Sequence, residues 1–438
     1  MTHLNFKEII ILGLMNFVLF VGAGNIIFPP FVGLMAGTNV CIAACGFLLT
    51  GVGLPVITSV AMARVAGHLP EITQPIGKIG GTILIVVCYL AVGPLFATPR
   101  TTTVSYDLAI KPFYHSEGLL WIYSLLFFLF VIFVSLNPQK LFETVGKILS
   151  PIKIAVLAIL SVTVFVLPAG EAGAPQAEYA NTAFSFGLSN GYLTMDTLAA
   201  LVFGLVIVNS IRSRDVTSPK LITRYAIYSG GIAGLMLVLL YISLFRLGTA
   251  STEIAKGATN GADVLSAYVN FSYGAYGNVL LAVIITIACL VTAIGLTCSG
   301  SSYFSSLTGI GYRPLVWIFA ILSMIISNLG LTQLISVSVP AMEAIYPVFV
   351  VLIFLSFVRG WMNTPLIIAL PATVIAFAFG IAEGLKSVGF SQLLPTFYQN
   401  LPLSNQGLAW VIPCVIVICV CWIIDLATLK SKRLRSAS

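Results

Sequence analysis

The chain has 438 residues, of which 59% are hydrophobic and only 8% are charged. Soluble globular proteins carry about 25% charged residues, and disordered chains combine low hydrophobicity with high charge, so this composition excludes both classes. It predicts an all-α polytopic membrane protein. The net charge of +7 indicates nucleic-acid binding only if the basic residues do not gather on one side of a membrane.

Apolar segments long enough to cross a bilayer follow one another along the whole chain. A transmembrane helix needs about 20 mostly apolar residues. This criterion predicts twelve spans: Ile9–Met35, Val40–Arg64, Thr82–Tyr106, Leu119–Leu136, Lys147–Leu167, Gly191–Ile211, Tyr225–Leu247, Gly277–Leu307, Pro314–Asn328, Thr332–Val358, Leu366–Gly384 and Leu408–Leu426. The longest polar stretch, Pro168–Asn190, is predicted to be a loop. No soluble catalytic domain remains, so function is expected inside the bundle and not in an enzyme active site.

The basic residues are distributed unequally between the two sides of the predicted bundle. Twelve spans place both termini on one side, together with sixteen basic residues: Lys7, Arg64, Lys78, Lys140, Lys147, Lys153, Arg212, Arg214, Lys220, Arg224, Arg313, Arg359, Lys430, Lys432, Arg433 and Arg435. Five lie on the other side or within the membrane: Arg100, Lys111, Arg246, Lys256 and Lys386. The positive-inside rule makes the first side cytoplasmic and removes the nucleic-acid hypothesis.

The first span contains an unusual concentration of helix-breaking residues. Between Gly22 and Pro30 it carries two glycines, an asparagine and two prolines. Unwound backbone within a membrane is tolerated where it lines a cavity or is buried in protein, so we expect a discontinuous helix here. The freed amides of Ala23, Gly24 and Asn25 would face an anion, and carbonyls upstream of them could hold a cation. A packing kink is the alternative.

The sixth and eighth spans contain further candidate residues for a binding site at the first-span break. Asp196 lies near the start of the sixth span, where it could contribute to a site or merely cap the helix, as could Thr194. Hydroxyls follow Gly295 in the eighth span, including Thr297 and Ser299. They could offer oxygen ligands to a hard cation such as Na⁺, or bond only to their own helix backbone.

Charged residues inside the predicted spans are few. Glu343 lies between two prolines in the tenth span and is expected to face the bundle interior, because a charge at the bilayer centre costs about 2.5–3.5 kcal/mol on insertion scales. It could serve as a gate, a proton site or a structural partner. Arg100 and Asp107 are seven residues apart and share one face of the third span, where we expect each to be paired within the bundle.

Three segments resemble the bacterial branched-chain amino acid:cation symporter family. They are the string from Gly22 to Pro30, the segment Asn328–Leu331 and the segment from Val339 to Pro347, and the resemblance extends over essentially the whole chain. It implies a LeuT-like fold of 12 transmembrane helices, with a 5+5 inverted repeat followed by two C-terminal helices. The implied divisions are a first repeat at 1–167, a second at 191–358, and a C-terminal part at 359–438 that ends in a basic cytoplasmic tail.

The resemblance also implies roles for individual residues. Ala23, Gly24 and Asn25 would bind the substrate carboxylate, and Ala200, Phe203 and Gly204 would lie where the sixth helix breaks, beside a pocket for an aliphatic side chain. The carbonyls of Val18, Val21 and Ile294 and the hydroxyl of Thr297 would bind Na⁺. Cys298 stands where LeuT-like transporters favour a hydroxyl, which Ser299 could replace.

The function implied is import of leucine, isoleucine and valine by Na⁺-coupled symport with alternating access. Na⁺ is the coupling ion, and no organic cofactor, nucleic acid or obligate protein partner is implied. The implied location is the bacterial inner membrane, in contact with lipid and with both termini cytoplasmic. The alternative is a proton-coupled permease of the same fold that uses Glu343 or Asp196; together with Arg100, these residues are also candidate gates.

Overall fold

The computed structural model describes residues 3–114, 118–136, 150–176, 179–399, 401, 403–404 and 407–436, and all regular structure in these ranges is helical. The predicted all-α class is confirmed. The α-helices are α1 Phe6–Phe20, α2 Ala23–Ala36, α3 Val40–Leu48, α4 Leu54–Arg64, α5 Leu69–Thr73, α6 Lys78–Leu90, α7 Ala97–Ala109, α8 Leu119–Ser135, α9 Ser150–Val166, α10 Tyr179–Tyr192, α11 Asp196–Arg212, α12 Pro219–Ala250, α13 Gly261–Thr308, α14 Tyr312–Ser327, α15 Leu331–Val358, α16 Pro365–Ser387, α17 Thr396–Gln399 and α18 Val411–Ser436.

Several helical segments suit a membrane by length and composition. In the described part of the chain, eight helical segments are long and apolar enough to cross one, and three shorter apolar helices accompany them. This supports a multi-pass membrane protein, while the number twelve and the 5+5 repeat stay predictions. Some residues used for the charge asymmetry lie outside the described residues: Lys140, Lys147 and the side chains of Lys430, Lys432, Arg433 and Arg435.

The first span is discontinuous, as predicted. α1 ends at Phe20, Val21 and Gly22 have extended backbone, and α2 starts at Ala23. The two prolines of the motif, Pro29 and Pro30, lie inside α2 and do not interrupt it. The glycine end of the motif therefore makes the break. Pro29 and Pro30 are seven and eight residues into a short helix and leave its first turn intact.

The sixth span breaks earlier than the sequence predicted. α10 ends at Tyr192 and α11 begins at Asp196, with Met195 between them in the left-handed region (φ 63°). The expected break at Phe203 and Gly204 is wrong, because both residues lie within the continuous helix α11. Leu193, Thr194 and Met195 form the break instead.

The predicted loop at Pro168–Asn190 is also corrected, since most of α10 lies in it. Small residues let this weakly apolar helix approach its neighbours closely. A Cβ atom added at Gly187 would lie 1.9 Å from the Ala43 carbonyl oxygen of α3, and one at Gly191 would lie 2.0 Å from Thr50 Oγ1. Thr50 Oγ1 also donates a 2.7 Å hydrogen bond to the Leu188 carbonyl. Close backbone packing thus fixes the position of α10, the helix that ends where the sixth-span break begins.

Candidate binding site at the two helix breaks

The breaks of the first and sixth spans lie against each other. A Cβ atom added at Gly24 would lie 3.2 Å from Thr194 Cα and 3.4 Å from the Leu193 carbonyl oxygen. Beside them is a cavity of about 40 Å³. Its apolar lining includes Leu19, Phe20, Val92, Ala199, Phe203 and Leu296, and its polar lining includes Asn25, Arg100, Thr101, Thr194, Asp196 and Thr292.

Asn25 ties the two breaks together. Its Nδ2 atom donates to Asp196 Oδ2 (2.5 Å) and to the Tyr241 hydroxyl (2.5 Å), and its Oδ1 atom accepts from the Gly22 amide (2.9 Å). The Tyr241 hydroxyl in turn donates to Asp196 Oδ2 (3.1 Å). Asn25, Asp196 and Tyr241 are all at most 2% exposed. Asp196 therefore does more than cap α11: it joins a buried network that links three helices.

Arg100 enters the same cavity from α7. Its Nη1 atom donates to the Leu193 carbonyl (2.6 Å) in the sixth-span break, and its Nη2 atom donates to Ser338 Oγ (2.9 Å) on α15. The guanidinium carbon lies 5.1 Å from the centre of the Phe28 ring. Among the described residues no acid lies within ion-pair distance of Arg100, whereas Asp107 pairs with Lys111 (3.6 Å). The predicted pairing thus holds for Asp107, and for Arg100 the partners are oxygens of uncharged groups.

Lys153 projects from α9 to the end of α1. Its Nζ atom donates to the Val18 carbonyl (3.3 Å) and to the Val21 carbonyl, and the residue is only 5% exposed. Carbonyls at a helix C-terminus attract cations because they lack intrahelical donors and carry the negative end of the helix dipole. Counting Lys153 among the cytoplasmic residues was wrong. Its ammonium contacts the two carbonyls that were predicted to bind Na⁺.

The cavity contains only part of the predicted substrate site. It is lined by Ala23, Gly24, Asn25 and Phe203, and by Arg100 and Asp196, two of the three candidate gates. Ala200 and Gly204 are not among its lining residues. A Cβ atom at Gly204 would lie 2.6 Å from Met62 Cε, so this glycine allows α11 to pack on α4. Ala200 and Gly204 therefore lie within α11 and outside the cavity lining, and Gly204 permits close packing on α4.

The predicted ion ligands of the eighth span lie outside the cavity lining, and their role in ion binding stays a prediction. Ile294, Thr297, Cys298 and Ser299 do not line the cavity, and Cys298 lies near Tyr312 and Ser135 instead. The α13 residues at the breaks are Thr292 and Leu296, which line the cavity, and Cys289, which lies near Lys153. The hydroxyl of Thr297 is buried without a hydrogen-bond partner among the described residues.

Glu343 lies away from the cavity. Its neighbours are Ser387, Glu383 and Lys386 at the end of α16. It is not one of the residues that line the space between the breaks. The prolines around Glu343 correctly indicated an unusual membrane-embedded carboxyl group, but its surroundings are those of a contact between α15 and α16.

Sequence reasoning missed Lys153, Tyr241 and Thr292 as members of the site. A single lysine near the end of an apolar run looks like an interfacial residue, and a tyrosine or threonine in an apolar helix is common. Lys153 did carry one signal, because the predicted fifth span from Lys147 to Leu167 places it inside the span.

Solved transporters have the same overall fold. A nucleobase-cation-symport-1 family transporter, Mhp1, in a closed conformation with bromovinylhydantoin bound, gives a TM-score of 0.60 at 13% identity, over 94% of this chain and 92% of that one. A mutant manganese transporter of Eremococcus coleocola gives 0.58 at 13% identity, over 95% of each chain. These transporters share the LeuT-like fold, and at this identity the likeness concerns the fold alone.

Sequence comparison identifies the family. The family model for branched-chain amino acid transport proteins matches residues 5–428. The branched-chain amino acid transport system 3 carrier protein of Pseudomonas aeruginosa is 53% identical over 97% of this chain and 98% of that protein. The permease BrnQ of Escherichia coli K12 is 52% identical over 98% of this chain and 98% of that protein. The permease BraB of Bacillus subtilis is 41% identical over 99% of this chain and 98% of that protein. The chain therefore belongs to the branched-chain amino acid transport protein family, whose members are transporters and not enzymes.

Proposed function

We propose that the protein imports leucine, isoleucine and valine across the bacterial inner membrane by cation-coupled symport with alternating access. The observation that carries this proposal is the cavity between the two helix breaks, which combines an apolar wall with charged groups and helix ends. A free amino acid with an aliphatic side chain needs both features. The proposed architecture is a 5+5 inverted repeat with both termini cytoplasmic.

We propose a transport cycle in which the site between the two breaks opens and closes. The two breaks are in close contact, since a Cβ atom added at Gly24 would lie 3.2 Å from Thr194 Cα. Leucine is proposed to enter when the cavity walls move apart. Rocking of one repeat against the other is the proposed motion. Contacts that connect the breaks to α7 and α15, such as those of Arg100, would rearrange during it.

The lining supports selection of apolar side chains. A polar side chain placed against Val92, Phe203 and Leu296 would lose its hydrogen bonds to water without replacement, at a cost of about 2–7 kcal/mol. Differences of one methylene are worth only about 1–3 kcal/mol. We therefore propose strong rejection of polar amino acids and weaker discrimination among the three branched ones.

The coupling ion has two candidates. Na⁺ is the ion that the sequence favours, with the Val18 and Val21 carbonyls as its proposed ligands. The proton alternative is supported by Lys153, because its ammonium already supplies a positive charge to both carbonyls. Of the two carboxyl groups proposed for that alternative, Asp196 lies in the cavity, so we favour it over Glu343.

Transport by proteoliposomes tests the proposal. We expect labelled leucine to accumulate when an inward cation gradient is imposed, and to exchange with internal leucine when no gradient is present. A Na⁺ gradient at constant pH and a pH gradient without Na⁺ are compared side by side, and the gradient that drives accumulation identifies the ion. Absence of leucine exchange under every condition, in protein that remains folded, would contradict the proposed function.

A further inference from the structure

We propose that Arg100 and Asp196 form a binding site for the charged head group of a free α-amino acid, with Arg100 contacting the carboxylate and Asp196 contacting the ammonium. The inference rests on the proposed function and adds the side chains that recognise the substrate. Both residues line the cavity between the breaks. The head group would thus be recognised by side chains as well as by the backbone at the helix ends.

Arg100 has unused capacity for an anion. The residue is 2% exposed, and its Nε–H group is buried with no hydrogen-bond partner among the described residues. The guanidinium otherwise reaches one carbonyl and one hydroxyl, neither of which carries a charge. A buried charge without a counter-ion is costly, and guanidinium groups bind carboxylates with good geometry. A substrate carboxylate would supply the missing negative charge and an acceptor.

The start of α2 strengthens the same anion position. The guanidinium of Arg100 packs over Phe28, less than two turns into α2. The first amides of a helix, here those of Ala23 and Gly24, have no intrahelical acceptor and carry the positive end of the helix dipole. Both amide-bearing residues line the cavity. An anion between them and Arg100 would be held by both.

Asp196 supplies the opposite charge. Its Oδ2 atom accepts the hydrogen bonds from Asn25 and Tyr241. The Thr194 side chain is a third hydrogen-bond partner of the carboxyl group. A carboxylate can accept about four hydrogen bonds, so capacity for one ammonium donor remains. Asp196 and Lys153 interact electrostatically over a longer distance than an ion pair. In the described part of the chain, neither Lys153 nor Arg100 lies within ion-pair distance of Asp196.

The two charges together fit a zwitterion better than an anion or a cation. A substrate with only a carboxylate would leave Asp196 unmatched in the cavity, and one with only an amine would leave Arg100 unmatched. A zwitterion brings one charge for each and adds no net charge to a buried site. The proposal therefore predicts that removal of either substrate charge is costly, and that each loss depends on a different residue.

Three ligands of similar shape test this prediction: leucine, leucinamide, which lacks the carboxylate, and 4-methylpentanoate, which lacks the amine. Their affinities for the purified full-length protein are measured by competition with labelled leucine or, for weak variants, by thermal stabilisation. The wild-type protein is expected to bind both analogues about 10- to 100-fold more weakly than leucine, as for loss of one charged hydrogen-bond pair. Equal affinity for all three ligands would overturn the proposal.

Two variants assign the charges. Arg100→Gln is expected to weaken leucine binding about 10- to 100-fold while leucinamide binding stays within about threefold. Asp196→Asn is expected to weaken leucine binding about 10- to 100-fold while 4-methylpentanoate binding stays within about threefold. Arg246→Gln and Glu253→Gln alter exposed residues and should keep the wild-type ratios. A purely structural role would weaken all three ligands equally, and that result would overturn the assignment.

Arg100 also holds Leu193 and Ser338, so Arg100→Gln could fail to fold. Arg100→Lys keeps the positive charge and loses the fork geometry, and it should retain the preference for leucine over leucinamide at reduced affinity. If Arg100→Lys loses that preference although Asp196→Asn and the wild type bind leucine, the proposed role of Arg100 is contradicted. Failure of the wild-type protein to bind leucine would instead contradict the proposed function itself.

Discussion

The ammonium group of Lys153 on α9 donates a hydrogen bond to the backbone carbonyl of Val21, at the point where α1 ends. A second hydrogen bond, to the Val18 carbonyl, fixes the same nitrogen in the last turn of α1. The helix end is thereby stabilised by a cation from another span. This contact couples the position of α9 to the break that forms one wall of the cavity.

Lys153→Met removes the charge and shortens the side chain by only one heavy atom. We expect leucine exchange to fall at least about tenfold, because the two carbonyls lose their donor and an unpaired buried carbonyl costs about 1–3 kcal/mol. Exchange in proteoliposomes measures the effect, and Lys220→Met, on the exposed first turn of α12, is the control. Recovery of the variant in Na⁺ but not in choline would support Na⁺ binding by these carbonyls. Wild-type exchange by Lys153→Met would contradict the role given to the ammonium.

Gly24→Ala tests whether the two breaks must touch. The added Cβ atom would lie 3.2 Å from Thr194 Cα and 3.4 Å from Phe28 Cε2, so backbone at the breaks has to move by a few tenths of an ångström. We expect a loss of leucine affinity of about tenfold, since about 1–3 kcal/mol is typical of overpacking a tight site. Competition with labelled leucine measures it.

The matched control for Gly24→Ala is Gly231→Ala on α12, where no atom lies within 4 Å of the new Cβ. That substitution should leave leucine affinity unchanged and raise stability by about 0.5–1 kcal/mol, because alanine restricts the unfolded chain. Equal effects of the two substitutions on leucine affinity would show that the contact between the breaks is unimportant for binding.

Tyr241→Phe removes one hydroxyl from the network around Asp196. The hydroxyl accepts from Asn25 and donates to Asp196, so both lose a buried partner. We expect the free energy of unfolding in mixed micelles to fall by about 1–3 kcal/mol. Tyr228→Phe removes an exposed hydroxyl that accepts from Arg224 (3.0 Å) and should change it by less than about 0.5 kcal/mol. Similar losses from both substitutions would be inconsistent with a special role of the network.

Glu343→Gln distinguishes the two carboxyl groups of the proton-coupled alternative. Glu343 faces Ser387 and Glu383 and does not line the cavity. We therefore expect the variant to accumulate leucine within about twofold of wild type under the gradient that drives the wild-type protein. Initial uptake rates in proteoliposomes measure this. Loss of gradient-driven accumulation with exchange preserved would assign the coupling step to Glu343 and contradict the preference for Asp196.

The first-span break could be predicted from sequence because its cause is local. Two glycines, a polar amide and two prolines are concentrated within nine residues of a long apolar run, and Gly22 does mark the break. The sixth-span break could not be located in this way. The break contains neither glycine nor proline, because its residues are Leu193, Thr194 and Met195. Met195 adopts a left-handed conformation (φ 63°) within tertiary contacts that the periodicity of the sequence does not reveal.

The hydrogen-bond partners of the buried charged residues could not be predicted from the sequence either. Arg100 was recognised as a membrane-embedded charge, but its partners are the Leu193 carbonyl and a serine 238 residues away. Lys153 binds carbonyls that are free only because α1 ends where it does. Both partnerships depend on broken helices meeting in space. Composition and spacing indicate that helix breaks exist. Only the fold determines which side chains donate hydrogen bonds to the carbonyls that the breaks leave free.

The most direct test of the proposed function is exchange of labelled leucine in proteoliposomes, competed in turn by each standard amino acid. Leucine, isoleucine and valine are expected to compete strongly, whereas polar and charged amino acids are not. The competition profile is expected to be the same with and without an ion gradient, because exchange reports on the binding site alone. Competition by polar amino acids as strong as that by valine, or no exchange by folded protein, would contradict the proposed function.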